Sequence, residues 1–306
     1  KQTSITKICA LATENFYGSG GLSWEKGIWK WAAEIVQQNG LNCNISTRTK
    51  PVDSVRKTET MATNVFITNY DTGEILLSKN ADKPMQPASM AKIMTVFVAF
   101  QYIANKKLQM DDKFVVSEKA WRRGGSRTFL EVGSRVSVRD ILHGIIVQSG
   151  NDAAIAIAEG ISGSEDAFVD EMNLWAKQIG MRNSNFRNST GWPDPELTTT
   201  ARDLNILATE LIRRFPADKY PDLYPIFAKR EYTYNKIRQP NRNPLVYGTA
   251  GADGLKTGHT EESGYGLVGS AERDGQRVIM VLNGMTSMKQ RSAESRRLMD
   301  LMFREF

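Results

Sequence analysis

Between residues 58 and 306, strand-like patterns stand at the two ends and helix-like patterns fill most of the middle. Residues 64–70 and 74–78 are strand-like apolar runs joined by Asp71-Thr72-Gly73, which is a hairpin signal. Close to the other end, residues 254–258 read as a strand, and residues 264–271 and 276–282 pair across Arg273-Asp274-Gly275. Strands so far apart in sequence share one core most simply by joining one sheet. The expected fold is therefore mixed α+β (α/β in content): an antiparallel sheet covered by helices on both faces, with a helical subdomain inserted between its halves.

The middle of the chain carries the start and stop signals of helices. Ser137 with Asp140 forms a capping box ahead of Ile141, Leu142, Ile145 and Ile146. That helix breaks at Ser149-Gly150-Asn151, and another runs over 152–159. Ser164 caps a helix that places Phe168, Met172, Trp175 and Ile179 on one face and ends at Gly180. Thr200 with Asp203 opens a further helix bearing Leu204, Leu207 and Leu211, and Ser287 with Gln290 opens the last, bearing Leu298, Leu301 and Met302. Residues 215–250 are rich in Pro, Tyr and Asn and read as loops with one strand near 231–234. Ahead of all this, residues 24–36 read as a short amphipathic helix and residues 44–60 as a polar, basic linker. The expected division is an N-terminal extension or linker over 1–57 and one catalytic domain over 58–306.

Composition removes several function classes. A hydrophobic fraction of 41% and a charged fraction of 24% are those of an ordinary globular protein. No run approaches the ~18 apolar residues of a membrane helix. The net charge of +6 suits an anionic partner such as cell-wall polymer or a membrane surface, and the charges are scattered, which argues against nucleic acid. Cys9 and Cys43 either pair or stay as free thiols; their spacing does not decide it. There are two histidines, His143 and His259. A zinc site usually gathers several His or Cys ligands, and neither H-E-x-x-H nor a Cys pair at metal spacing is present, so no metal and no organic cofactor is expected.

With histidine so scarce, a serine nucleophile here would more readily find a lysine as its base. S-x-x-K occurs three times, at Ser4, Ser54 and Ser89, and only Ser89 opens a strongly apolar helix, running from Ile93 through Phe100 to about residue 103. Positions i and i+3 share a helix face, so Lys92 can reach the Ser89 hydroxyl. Free N–H groups at a helix start favour developing negative charge. Two more short motifs follow in order: Ser149-Gly150-Asn151 in a break between helices, and Lys256-Thr257-Gly258-His259 on a strand. Gly124-Gly125-Ser126 lacks a Walker lysine and reads as a mobile loop, and His143 reads as a satisfied core histidine.

This ordered set resembles the active-site-serine penicillin-recognising enzymes. The chain is most similar to the low-molecular-weight penicillin-binding proteins, the D-alanyl-D-alanine carboxypeptidases of bacterial envelopes. The resemblance runs from about residue 58 to 306 and includes Asn188-Ser189-Thr190-Gly191-Trp192, Thr200-Ala201-Arg202-Asp203 and Asn241-Arg242-Asn243. It implies a β-lactamase/transpeptidase-like fold and an exported enzyme of the periplasm or cell envelope. The expected substrate is a peptidoglycan stem peptide ending in D-Ala-D-Ala, with β-lactams as covalent inhibitors. By this resemblance Ser89 is the nucleophile, Lys92 its base, and Ser149 a proton relay to the leaving amine. Asn151 holds the substrate amide, and Lys256, with burial, lowers the Lys92 pKa. The backbone N–H groups of Ser89 and His259 form the oxyanion hole, Gly258 lines the substrate strand, and Thr257, Thr260 and Arg242 are candidates for the substrate carboxylate.

Two other functions fit the same motifs. A class A β-lactamase shares the first and third, but usually has Ser-Asp-Asn as the second and needs an E-x-x-x-N glutamate. Here Pro195-Glu196-Leu197 is followed by Thr200 where the Asn would stand. A non-catalytic scaffold binding peptidoglycan or β-lactams is the other, against which stand the intact motifs. Family members often continue into a β-rich domain and an amphipathic membrane anchor. The chain ends at Phe306 without one, so membrane association is expected only of a longer form.

Overall fold

The computed structural model describes residues 58–305. The helix read at 24–36, most of the 44–60 linker, and both cysteines lie outside the described residues.

The chain enters through β1 (Asn64–Asn69) and β2 (Ile75–Lys79), which pair antiparallel. A 3₁₀ turn over Ala88–Ala91 then leads into α1 (Lys92–Ala104). A small ribbon of β3 (Lys113–Val115) and β4 (Arg135–Ser137) brackets α2 (Glu118–Arg122). Next come α3 (Val138–His143), a π turn over Gly144–Gln148, α4 (Asn151–Ser162), α5 (Glu165–Gln178) and α6 (Ala201–Arg214). A second ribbon, β5 (Glu231–Tyr234) with β6 (Ile237–Pro240), precedes β7 (Ala252–Thr260), β8 (Gly264–Arg273), β9 (Gln276–Met285) and α7 (Met288–Glu305).

The main sheet has the order β2-β1-β9-β8-β7 and is antiparallel throughout. The N-terminal hairpin thus docks on the C-terminal hairpin through β1 and β9, in the register Phe66↔Val281 and Thr68↔Ile279. Side chains alternate between the two faces. Phe66, Val268, Ile279 and Val281 join the large core that also holds α1, α4 and α6. Ile67, Leu267, Met280 and Leu282 alternate to the opposite face, where α7 packs on β8 and β9 and buries Leu298 and Met299. Helices therefore cover both faces, and residues 80–251 form the insertion.

Helix α1 explains why this insertion has one core. Its first ten residues, Lys92–Gln101, are all buried. A helix that is apolar all round must lie inside other elements, and α1 touches α4, α5 and α6. The caps sit where the sequence places them. Ser137, Ser164 and Thr200 accept from the N–H groups of Asp140, Ala167 and Asp203, and Ser287 accepts from Gln290 N–H.

Differences from the expectations have local causes. The helix expected to run on from Ser137 changes to a π turn after His143 and ends where Ser149 takes φ 66°, a left-handed residue that no apolar pattern announces. The strand at 231–234 has a partner, β6, hidden by Pro240 and by a turn, Asn235-Lys236, that reaches φ 47° and 63° without a glycine. Strands β3 and β4 have three residues each, too short to carry a period.

Candidate active site

The Ser89 turn is clamped between two positions that lack a side chain. A Cβ on Gly258 of β7 would lie 2.9 Å from Pro87 O and 3.1 Å from Met90 Cγ. A Cβ on Gly191 (φ 74°) would lie 1.8 Å from Ala88 O. Glycine at both places lets the sheet edge and the 188–192 loop close on the serine from two sides. Ser89 lies inside a 3₁₀ turn, one step before the α-helix expected to start at it. In a 3₁₀ turn i and i+3 eclipse, which brings Lys92 directly over Ser89.

Lys92 is fully buried, and its Nζ has three partners: Ser89 Oγ at 3.0 Å, Asn151 Oδ1 at 2.7 Å and Thr190 O at 2.5 Å. Burial, reinforced by the Arg242 and Arg123 cations and opposed by Asp152, pushes its pKa down to about 7. Arg242 is a further cation acting on Lys92, and burial together with repulsion between the two lysines holds Lys256 well below the ordinary lysine range. Lys256 Nζ donates to Thr257 O at 3.0 Å, and both residues are buried on β7.

The second motif supplies the opposite wall. Ser149 is buried at the end of the π turn, and Asn151 opens α4. Asn151 Nδ2 donates to Gly124 O at 2.8 Å and its N–H to Ser126 O at 2.8 Å. Below it the buried Asp152 accepts from the N–H groups of Thr128 and Leu130. Loop 124–126, read as mobile, is tied down: besides these bonds, Arg242 Nη1 donates to Ser126 Oγ at 2.6 Å. Exposed Trp192 stands beside Gly125, with the Arg123 guanidinium 5.1 Å from its ring centroid.

The remaining expected residues lie around β7. His259 is exposed and stacks on Tyr265 at 3.8 Å. Thr260 Oγ1 donates to Ser263 Oγ at 2.9 Å and so braces the β7–β8 turn. His143 sits elsewhere, against Tyr232 at 4.1 Å. Its Nδ1 meets Arg139 O at 2.7 Å while its buried Nε2 has no partner, so it is only half satisfied.

Sequence reasoning missed two groups. The Thr190 carbonyl is a backbone atom and leaves no residue-type signal. Arg291 at the start of α7 looks like any charged helix residue, yet it is 7% exposed and its Nε is buried without a partner. Among the described residues no carboxylate pairs with Arg291 or with Arg242. Arg291 lies 5.7 Å from the Tyr265 ring centroid and acts electrostatically on Lys256, as Arg242 does. Arg242 and Arg291 together make a cationic region around the Lys256 amine.

The chain is similar to known proteins. A family described as D-alanyl-D-alanine carboxypeptidase matches residues 51–286. The D-alanyl-D-alanine carboxypeptidase DacC of Escherichia coli (strain K12) is 40% identical over 248 residues, covering 79% of this chain. The chain spans 61% of that relative's length. The crystal structure of penicillin binding protein 5 from Haemophilus influenzae superposes with a TM-score of 0.77 at 38% identity, covering 80% of this chain and 72% of that one. Penicillin-binding protein D2 from Listeria monocytogenes, in its ampicillin-bound form, gives 0.72 at 30% identity, over 80% of this chain and 98% of that one. The match passes through Ser89, Lys92, Ser149, Asn151, Arg242 and Lys256, and stops just short of Arg291. With the fold of the penicillin-binding proteins, their three motifs and this identity, the chain belongs to the D-alanyl-D-alanine carboxypeptidase family.

Proposed function

We propose that the chain is a serine-type D-Ala-D-Ala carboxypeptidase that removes the terminal D-alanine of peptidoglycan stem peptides. Residues 58–306 act as its catalytic domain and 1–57 lie outside it. The observation that carries the reading is the environment of Lys92. A neutral amine has two N–H bonds and one lone pair. Asn151 Oδ1 and Thr190 O can only accept, so they take the two N–H bonds. The lone pair is then left facing Ser89 Oγ, 3.0 Å away, as a general base requires. A pKa pushed down to about 7 makes that neutral form available near neutrality.

Ser89 Oγ attacks the carbonyl of the penultimate D-alanine while Lys92 takes its proton. The backbone N–H groups of Ser89 and His259 receive the oxyanion. Ser149 passes a proton to the leaving amine, D-alanine departs, and water hydrolyses the acyl-enzyme. Asn151 orients the substrate amide. Gly258 lets the substrate strand lie against β7, and Thr257 with the guanidiniums of Arg242 and Arg291, which have no carboxylate partner among the described residues, receives the terminal carboxylate. Lys256 offers hydrogen-bond donors there, and Thr260 contributes through the turn it braces. These steps draw on side chains, backbone N–H groups and water. β-Lactams acylate Ser89 in place of the peptide, and the place of work is the bacterial envelope on the outer side of the cytoplasmic membrane. Among the described residues no helix is long and apolar enough to cross a membrane.

The β-lactamase alternative loses its glutamate. Glu196 is 69% exposed and lies 3.3 Å from Arg187, in a surface ion pair. The test is intact mass after brief exposure to benzylpenicillin, for wild type and Ser89→Ala, with D-alanine release measured from a diacylated D-Ala-D-Ala peptide. A lasting single adduct on wild type alone, with D-alanine release, is expected. Penicillin consumed without an adduct would mark a β-lactamase; no adduct and intact penicillin would mark a scaffold.

A further inference from the structure

Beneath the 188–192 loop lies a buried carboxylate that this chemistry leaves unused. Glu165 opens α5 and is 4% exposed. Its Oε1 accepts from Ser189 N–H at 3.0 Å and from the Ser189 hydroxyl at 2.7 Å, and its Oε2 meets Lys119 Nζ at 2.8 Å. Burial pushes its carboxyl up, and the bonds from Lys119 and Ser189 outweigh this and hold it below the usual range. The other side of Ser189 is held as well: its carbonyl accepts from Thr95 Oγ1 at 2.6 Å. The next carbonyl along is that of Thr190, on Lys92.

Ser189 and Thr190 are both buried, so water does not replace a lost partner. The backbone at residue 189 is fixed by Glu165 at its N–H and by Thr95 of α1 at its C=O. Lys92, also of α1, uses the carbonyl one residue later. We propose that Glu165 is a positioning residue for the Lys92 base: through Ser189 it sets the Thr190 carbonyl that orients the amine. This rests on the reading of Lys92 as the base. A carboxylate suits the task because it accepts two bonds from one residue, and the Lys119 ammonium, half exposed, fixes its outer oxygen.

The test is the rate of acylation by a fluorescent penicillin across pH 5.5 to 9.5, in the full chain. Glu165→Ala orphans two buried donors and frees the loop. The high-pH rate should fall about tenfold, and the midpoint of the acid limb should move down by about half a pH unit, since the ammonium loses an acceptor. Glu165→Gln, which still accepts from Ser189, should restore both to within about threefold and ~0.2 pH unit. Lys119→Ala should leave the midpoint in place. A purely structural role would lower the rate without moving the midpoint. If Glu165→Ala does not fold, Ser189→Ala decides: it removes one of the two donors and should move rate and midpoint the same way by a smaller amount. Wild-type plateau and midpoint in Glu165→Ala, or in Ser189→Ala, overturn the proposal. A wild type that is not acylated, or a Ser89→Ala variant that is, removes the reading of the base itself, and is seen in the control arms alone.

Discussion

Replacing Lys92 by methionine should make the protein relatively more stable in acid than in alkali, although it destroys the site. The ordinary lysine value of 10.5 and the folded value of about 7 define a window in which the unfolded chain holds a proton that the folded chain does not. Folding is therefore favoured as pH rises through that window, and the cost of the buried ammonium is present in full below about pH 7. At ~1.36 kcal/mol per pH unit the gap is worth about 5 kcal/mol at low pH and about 2 kcal/mol at pH 9. Lys92→Met removes that cost. It also leaves Asn151 Oδ1 and Thr190 O without their donor, at about 1–3 kcal/mol each. That loss does not depend on pH. The difference in unfolding free energy between the two proteins should therefore swing by about 3 kcal/mol toward the variant on going from pH 9 to pH 6. Relief of Lys256 from its neighbour acts in the same direction. Urea unfolding of both proteins at the two pH values measures the swing. A difference that stays constant within ~0.5 kcal/mol, or moves the other way, would refute the picture of Lys92 as a destabilised buried base.

Three further outcomes are expected. Penicillin acylation of the wild type should rise with pH around an inflection near 7, because the base must lose its proton; a flat profile from pH 5.5 to 9 would contradict that role. Gly191→Ala should abolish acylation and cost more than about 3 kcal/mol on thermal unfolding, since it combines a left-handed backbone with a Cβ 1.8 Å from Ala88 O. Arg291→Gln should lower kcat/KM about tenfold or more for a peptide with a free terminal carboxylate and leave C-terminally amidated peptide unaffected; equal losses on both would remove Arg291 from carboxylate binding.

The sheet and most of the helices were legible because their signals are local. An Asp-Gly turn, a Thr200 hydroxyl three residues before its donor, and an apolar α1 each say where they belong without help from distant chain. The motif residues were legible for another reason: Ser89, Lys92, Ser149, Asn151 and Lys256 carry chemistry in their side chains, and their order along the chain limits how they meet. What stayed hidden depends on tertiary surroundings. Arg291 is unusual only because no carboxylate among the described residues faces it, Thr190 only because its carbonyl points at Lys92, and the part Arg242 plays in the Lys92 shift only because the fold brings the two charges together. The 3₁₀ turn at Ser89 differs from a helix start by a single hydrogen-bond step, below what residue pattern resolves.

The two missing Cβ atoms that face the Ser89 turn belong to residues 191 and 258, one in the helical insertion and one on the returning edge strand. Neither is near residue 89 along the chain. The nucleophile therefore acquires its surroundings only after both halves have arrived, and a chain with α1 formed but the C-terminal hairpin undocked holds an ordinary serine. Covalent labelling by a penicillin is on this ground a clock for completed assembly: added in pulses during refolding, it should tag no species that lacks β7 in place, however much helix that species contains.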